Sequence, residues 1–103
     1  MSEKPDYQQW QQIEELVKTA VEQGEHGFLL KLLMTPDERD ALLARVNILS
    51  ELLKGEMSQR QISQMLGVGV ATITRGSNEL KSKDEQQRTQ LSALLNRGLE
   101  DSK

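Results

Sequence analysis

The sequence predicts an all-α chain, and three observations carry that reading. Leucine recurs along the 103 residues while β-branched runs are absent, a balance that favours helix. Apolar residues return at steps of three and four rather than two. Two segments, Thr35-Pro36-Asp37-Glu38 and Ser58-Gln59-Arg60-Gln61, have the form of helix-starting capping boxes.

Residues 1–6 are polar, include Pro5 and read as a flexible N-terminal arm. Residues 7–103 read as a single helical domain. Tyr7, Trp10, Ile13, Leu16, Val17, Ala20 and Val21 form one apolar stripe of a first helix, which Gln23-Gly24-Glu25 ends. Phe28 to Met34 is a short apolar segment and a second helix. Thr35 caps the third, Pro36 suits its first position and Glu38 completes the box. That helix runs through Leu42, Val46, Ile48, Leu49 and Leu53 to a stop at Lys54-Gly55, with apolar residues on more than one face. Ser58 starts the fourth, whose inward residues are Ile62, Met65 and Leu66. Gly67-Val68-Gly69 makes a turn, and Val70, Ile73 and Leu80 mark the inward face of the fifth. Asp84 caps a sixth helix with Leu91, Leu94, Leu95 and Leu99 on one stripe.

Only 36% of residues are hydrophobic and 3% aromatic, so the core is thin and self-association is expected. The formal charge of -3 argues against a protein that coats nucleic acid non-specifically. Its distribution is uneven. Between Lys54 and Lys83 five basic residues face two acidic ones, a local balance of +3 that leaves -6 elsewhere. A basic module in an acidic chain fits nucleic-acid contact by one face. With no cysteine, thiolate metal sites and disulfides are excluded. The single His26 reads as a solvated loop residue, and no nucleophile, base or metal cluster stands out, so an enzyme is not expected. The N-terminus lacks a signal-peptide pattern and no apolar run approaches a membrane span, which points to the cytoplasm.

The segment at 58–82 is the most informative. Two short helices joined by a glycine-bearing turn are how a helix-turn-helix presents one helix to the major groove. Such a hairpin also occurs in domains that bind no DNA. Here Ser63 is small where the helices approach closely. Gly69, Ala71, Thr72 and Arg75 form a thin, hydrogen-bonding outer face, and Lys81 and Lys83 sit where phosphates are expected. The contact set expected for the hairpin is Gln59, Arg60, Gly69, Val70, Ala71, Thr72, Thr74, Arg75 and Lys81. Arg45 is the second informative residue, because its helical neighbours Ala41, Leu42, Ile48 and Leu49 are all apolar. It either snorkels or ion-pairs, or it binds a small anion bidentately and stacks on a flat ring.

Leu33-Met34-Thr35-Pro36-Asp37-Glu38-Arg39, Glu51 through Arg60, and Ala71-Thr72-Ile73-Thr74-Arg75-Gly76-Ser77-Asn78 resemble the bacterial tryptophan repressor family, without a gap from Leu30 to about Lys83. The resemblance implies a six-helix chain in an intertwined homodimer. It implies a repressor of tryptophan-biosynthesis genes that binds palindromic double-stranded operator DNA with L-tryptophan as corepressor and no cofactor. In that family the indole lies between two arginines, matched here by Arg45 and Arg75. Thr35, with the backbone of Leu32 and Met34, matches the part that holds the amino group, and Gly76 matches the close approach to the ring. Glu79 stands where a serine commonly helps bind the amino group, and Ser63 where a lysine commonly meets DNA, which predicts a slightly smaller electrostatic term. Leu43 and Ala44 replace smaller or polar residues, read as packing changes. The alternative is a helix-turn-helix regulator that needs no small ligand.

Overall fold

The computed structural model describes residues 3–101, and the elements among them are six α-helices. They are α1 Trp10–Glu22, α2 His26–Leu33, α3 Pro36–Lys54, α4 Gln59–Leu66, α5 Val70–Lys81 and α6 Glu85–Asp101. The chain groups into two compact units, Met1–Arg39 and Asp40–Lys103, with the boundary inside α3.

In the first unit α1 packs with α2. The Gln12 side chain turns back to start α1, accepting from the N–H groups of Gln8 at 2.7 Å and Gln9 at 2.9 Å. Tyr7 therefore falls before the helix and is exposed, not on the helical stripe where its spacing had put it. Gln8 and Gln12 also donate to the carbonyls of Pro5 and Asp6. Met1 and Ser2 of the expected arm lie outside the described residues. The second helix begins at His26 instead of Phe28, because the Glu25 carbonyl already accepts the Leu29 N–H at 3.0 Å. His26 is thus a first-turn helical residue and not a loop residue. Met34 is extended and ends α2.

The start of α3 follows the sequence expectation closely. Thr35 N–H donates to Glu38 Oε1 at 2.9 Å, and Glu38 N–H donates to Thr35 Oγ1 at 3.2 Å. The bond from the Thr35 backbone, and next its hydroxyl, hold the Glu38 carboxyl below the ordinary glutamate range. A carboxyl depressed in the folded state stabilises above the unfolded carboxylate range, and that contribution is lost as pH falls through the folded value. Glu38→Gln keeps an acceptor and removes the charge. The gap in melting temperature between wild type and this variant should therefore narrow as pH is lowered from 7 to 3 in a thermal-melt series. A gap independent of pH would remove Glu38 from the acid limb.

In the second unit Ile48 of α3, Ile62 of α4 and Ile73 of α5 meet as the fully buried centre. Leu52, Met57, Leu66 and Val68 pack around them. Full burial of each of the three isoleucines contributes roughly 1.5–3 kcal/mol. The position of Val70 differs from the reading of its spacing: it is 48% exposed, and Val68 of the turn takes the inward place. The cause is the turn itself. Gly67 is left-handed at φ 68, which sends the chain back over α4 one residue earlier than the helical period of α5 suggests. Asp84 caps α6 reciprocally with Gln87, at 2.7 and 3.1 Å. Of the α6 stripe, Leu91 and Leu95 are half-buried, whereas Leu94 and Leu99 face outward.

Large apolar side chains remain exposed in both units. Trp10 is 73% exposed, and Phe28, Leu32, Leu43, Leu94 and Leu99 all exceed half. Apolar surface on this scale marks an interaction surface.

Candidate ligand pocket and nucleic-acid interface

The site begins with a close approach. A Cβ added to Gly76 would lie 2.9 Å from Ile48 Cγ2 and 3.6 Å from Leu52 Cδ1, so only glycine lets α5 settle onto α3 there. Beside this contact, Arg45, Ile48 and Leu49 occupy one face of α3 at steps of three and four. Thr72, Arg75, Gly76 and Glu79 do the same on α5. Together they line a cavity of about 380 Å³, within the range of small-molecule sites.

Arg45 is exposed and lines this cavity. Two guanidiniums and one carboxylate on the walls suit a ligand carrying both charges. Ile48 and Leu49 supply apolar floor for a flat ring, on which arginine stacks well. The Glu79 carboxylate is 3.7 Å from Nζ of Lys83, four residues on and just beyond the end of α5, and both are substantially exposed. Lys83, two residues past the end of α5, is thus paired back onto that helix, whereas Lys81 ends α5 exposed.

Two clefts in the first unit are larger, about 650 and 610 Å³. The first is lined by Asp6, Tyr7, Glu15 and glutamines, the second by Trp10, Ile13, Val17, Leu30, Leu33 and Met34 with Glu14 and Glu38. Neither has a cation on its wall, so chemistry and not volume selects the Arg45–Arg75 cavity. Leu32, Met34 and Thr35 belong to the first unit and do not line that cavity. Thr35 is occupied in the α3 cap, Leu32 is exposed and Met34 lines the apolar cleft. Among the described residues no group of His, Cys, Asp or Glu is placed to hold a metal.

The α4–α5 hairpin forms as expected. Ser58 and Gln61 cap α4 reciprocally, at 2.8 and 3.1 Å. Arg60, Gly69, Val70, Ala71, Thr72, Thr74, Arg75 and Lys81 are all exposed, and Gln59 is half-buried. Gly69 is the N-cap of α5 and places no side chain at the positive end of the helix dipole. Spacing had not revealed that Thr74 and Gln59 bond each other across the hairpin, Thr74 Oγ1 donating to Gln59 Oε1 at 3.1 Å. Thr74 also lies 3.0 Å from the Val70 carbonyl. With Oε1 turned to Thr74, the Gln59 amide NH₂ is left to donate outward. Val70, displaced from the core by Val68, joins the same exposed face. The signal for that displacement was an apolar residue between two glycines in the turn.

A family model described as Trp repressor protein matches residues 8–95. The chain is 66% identical over 95 residues to a Trp operon repressor homolog of Vibrio atlanticus, which covers 92% of this chain and 97% of that protein. It is 64% identical over 98 residues to a homolog of the same description from Vibrio campbellii, covering 95% and 98%. A third, from Aliivibrio fischeri, is 62% identical over 95 residues, covering 92% and 88%.

Proposed function

The chain belongs to the Trp repressor family, and from that premise we infer that it is a tryptophan-responsive, DNA-binding transcriptional repressor. It is not an enzyme. It acts as a homodimer on operator DNA, with L-tryptophan as corepressor. Among the described residues no helix is long and apolar enough to cross a membrane, and we place the protein in the cytoplasm with its DNA target.

One observation carries the mechanism: the Arg45–Arg75 cavity lies between the core helix α3 and the reading helix α5. A ring seated there touches Arg45 on a fixed element and Arg75 on the element that meets DNA. It sets the tilt of α5 and so the spacing of two reading heads. Dimeric helix-turn-helix proteins in general, this family included, need heads roughly 34 Å apart to reach half-sites one helical turn away. Ligand and operator binding are then linked, each strengthening the other by the same factor.

Within this reading Arg45 and Arg75 sandwich the indole, and one guanidinium takes the carboxylate. Glu79 receives the ammonium in exchange for Lys83. Gly76 keeps the wall flat. Leu32, Met34 and Thr35 complete the pocket from the partner subunit of an intertwined dimer. The exposed Trp10, Phe28, Leu32, Leu43, Leu94 and Leu99 are the surfaces such a dimer would cover. Ala71 and Thr72 read base edges, Gly69 and Val70 allow close approach, and Gln59, Arg60, Thr74, Arg75 and Lys81 meet phosphates.

Gel shifts on a palindromic trp operator decide the main claim. Adding L-tryptophan should tighten binding by a factor between about five and 150, the usual span of a coupling free energy. Equal binding with and without it would refute the gating.

A further inference from the structure

Between α4 and α5 the chain turns through Gly67, Val68 and Gly69, and two of those three residues have no side chain to restrain them. The direction of α5 therefore depends on what holds Val68. Its side chain packs against the Ile48, Ile62 and Ile73 core. Its two backbone polar groups both close on one residue of α4, Ser63. The Ser63 carbonyl accepts the N–H of Val68 at 3.2 Å and that of Gly67 at 2.9 Å. The Ser63 hydroxyl, half-buried, donates to the Val68 carbonyl.

That last bond has a geometric consequence. Peptide planes are rigid, so the direction of a carbonyl reports the ψ angle of its residue. Fixing the Val68 carbonyl fixes ψ of Val68, one of the few soft torsions between the two helices. An alanine at 63 would keep both backbone bonds and the left-handed Gly67, and would free only this torsion. A long charged side chain at 63 would also lack the short hydroxyl that reaches back to the turn.

We propose that Ser63 is a positioning residue for DNA reading: its hydroxyl locks the Val68 peptide plane and so aims α5 at the groove. This rests on the reading of α4–α5 as the DNA-reading hairpin. Base-edge contacts depend on aim, whereas phosphate attraction tolerates a tilted helix. The loss of the hydroxyl should accordingly separate the two.

The experiment compares wild type, Ser63→Ala and Ser63→Thr as full-length dimers saturated with L-tryptophan. Each is titrated against a palindromic trp operator duplex and a scrambled duplex of equal length and composition, with thermal melts alongside. Ser63→Ala should weaken operator binding roughly three- to tenfold, the range of one hydrogen bond, and change scrambled-duplex binding less than about twofold. Ser63→Thr, which keeps the hydroxyl, should restore operator binding. Equal losses on both duplexes would make Ser63 a stability residue only and overturn the proposal. Unchanged operator binding in Ser63→Ala would overturn it as well. If wild type itself fails to prefer the operator, the DNA-reading hairpin is what has failed, since Ser63 is intact in that lane.

Discussion

Arg45→Ala should abolish the response to L-tryptophan while leaving a folded dimer. Arg45 is exposed and contributes no side chain to the Ile48–Ile62–Ile73 core, so its truncation removes little packing. What it removes is one of two cations on the wall of the 380 Å³ cavity. A charge-assisted hydrogen bond to a carboxylate contributes roughly 1.5–3 kcal/mol, and stacking on the ring adds to it. A loss of about 2–3 kcal/mol is a thirty- to 150-fold weaker ligand. Calorimetric titration with L-tryptophan should then show heats too weak to fit at concentrations that saturate wild type. The variant should bind operator at the level of ligand-free wild type, whatever the ligand concentration. A normal titration would take Arg45 out of the pocket and leave it an ordinary solvated arginine.

Gly76→Val tests the other wall of the same cavity and should damage fold and function together. The first carbon added already meets Ile48 Cγ2 at 2.9 Å, and Ile48 is 1% exposed, a β-branched side chain with nowhere to turn. Overpacking of this kind costs typically 1–3 kcal/mol. The gain in helix propensity over glycine is at most a few tenths of a kcal/mol for valine, so the overpacking outweighs it. A net loss of about 2 kcal/mol lowers the melting temperature by some 8–16 °C in a domain of this size. The two further methyl groups also push α5 off α3 beside the pocket, so L-tryptophan binding should weaken beyond what the lowered stability explains. Gly76→Ala is the graded control. It adds only the clashing first carbon and recovers about 1 kcal/mol of helix propensity, so a net loss of about 0–2 kcal/mol, smaller than that of valine, is expected. A valine variant as stable as wild type would show that α3 and α5 do not approach as closely as the 2.9 Å contact requires.

The parts of the fold that were legible in the sequence are those set by neighbours in the chain. The capping boxes of α3 and α4 and the Asp84 cap of α6 could be read from four residues each, because their bonds close within one turn. The Gly67-Val68-Gly69 turn was similarly local, and Gly67 takes the left-handed conformation there. What spacing misplaced was register at element ends. Tyr7 continued the apolar period of α1, yet the Gln12 side chain starts the helix later. Val70 fitted the inward face of α5, yet the turn had already delivered Val68 to the core.

The sequence by itself determined six helices, a glycine-turned reading hairpin and an arginine on an apolar face. A resemblance in its letters then carried the family, the ligand and the operator. Only the tertiary structure decided that Gly76 meets Ile48, and that Arg45 faces the same cavity as Arg75 and Glu79. It alone showed Ser63 bonded to the Val68 carbonyl and Thr74 to Gln59. The physical reason is range. Caps and periodicity are interactions of a residue with others one turn away, which the order of the chain already specifies. A contact between α3 and α5 joins residues almost thirty apart, and whether two faces meet depends on how the buried isoleucines pack between them.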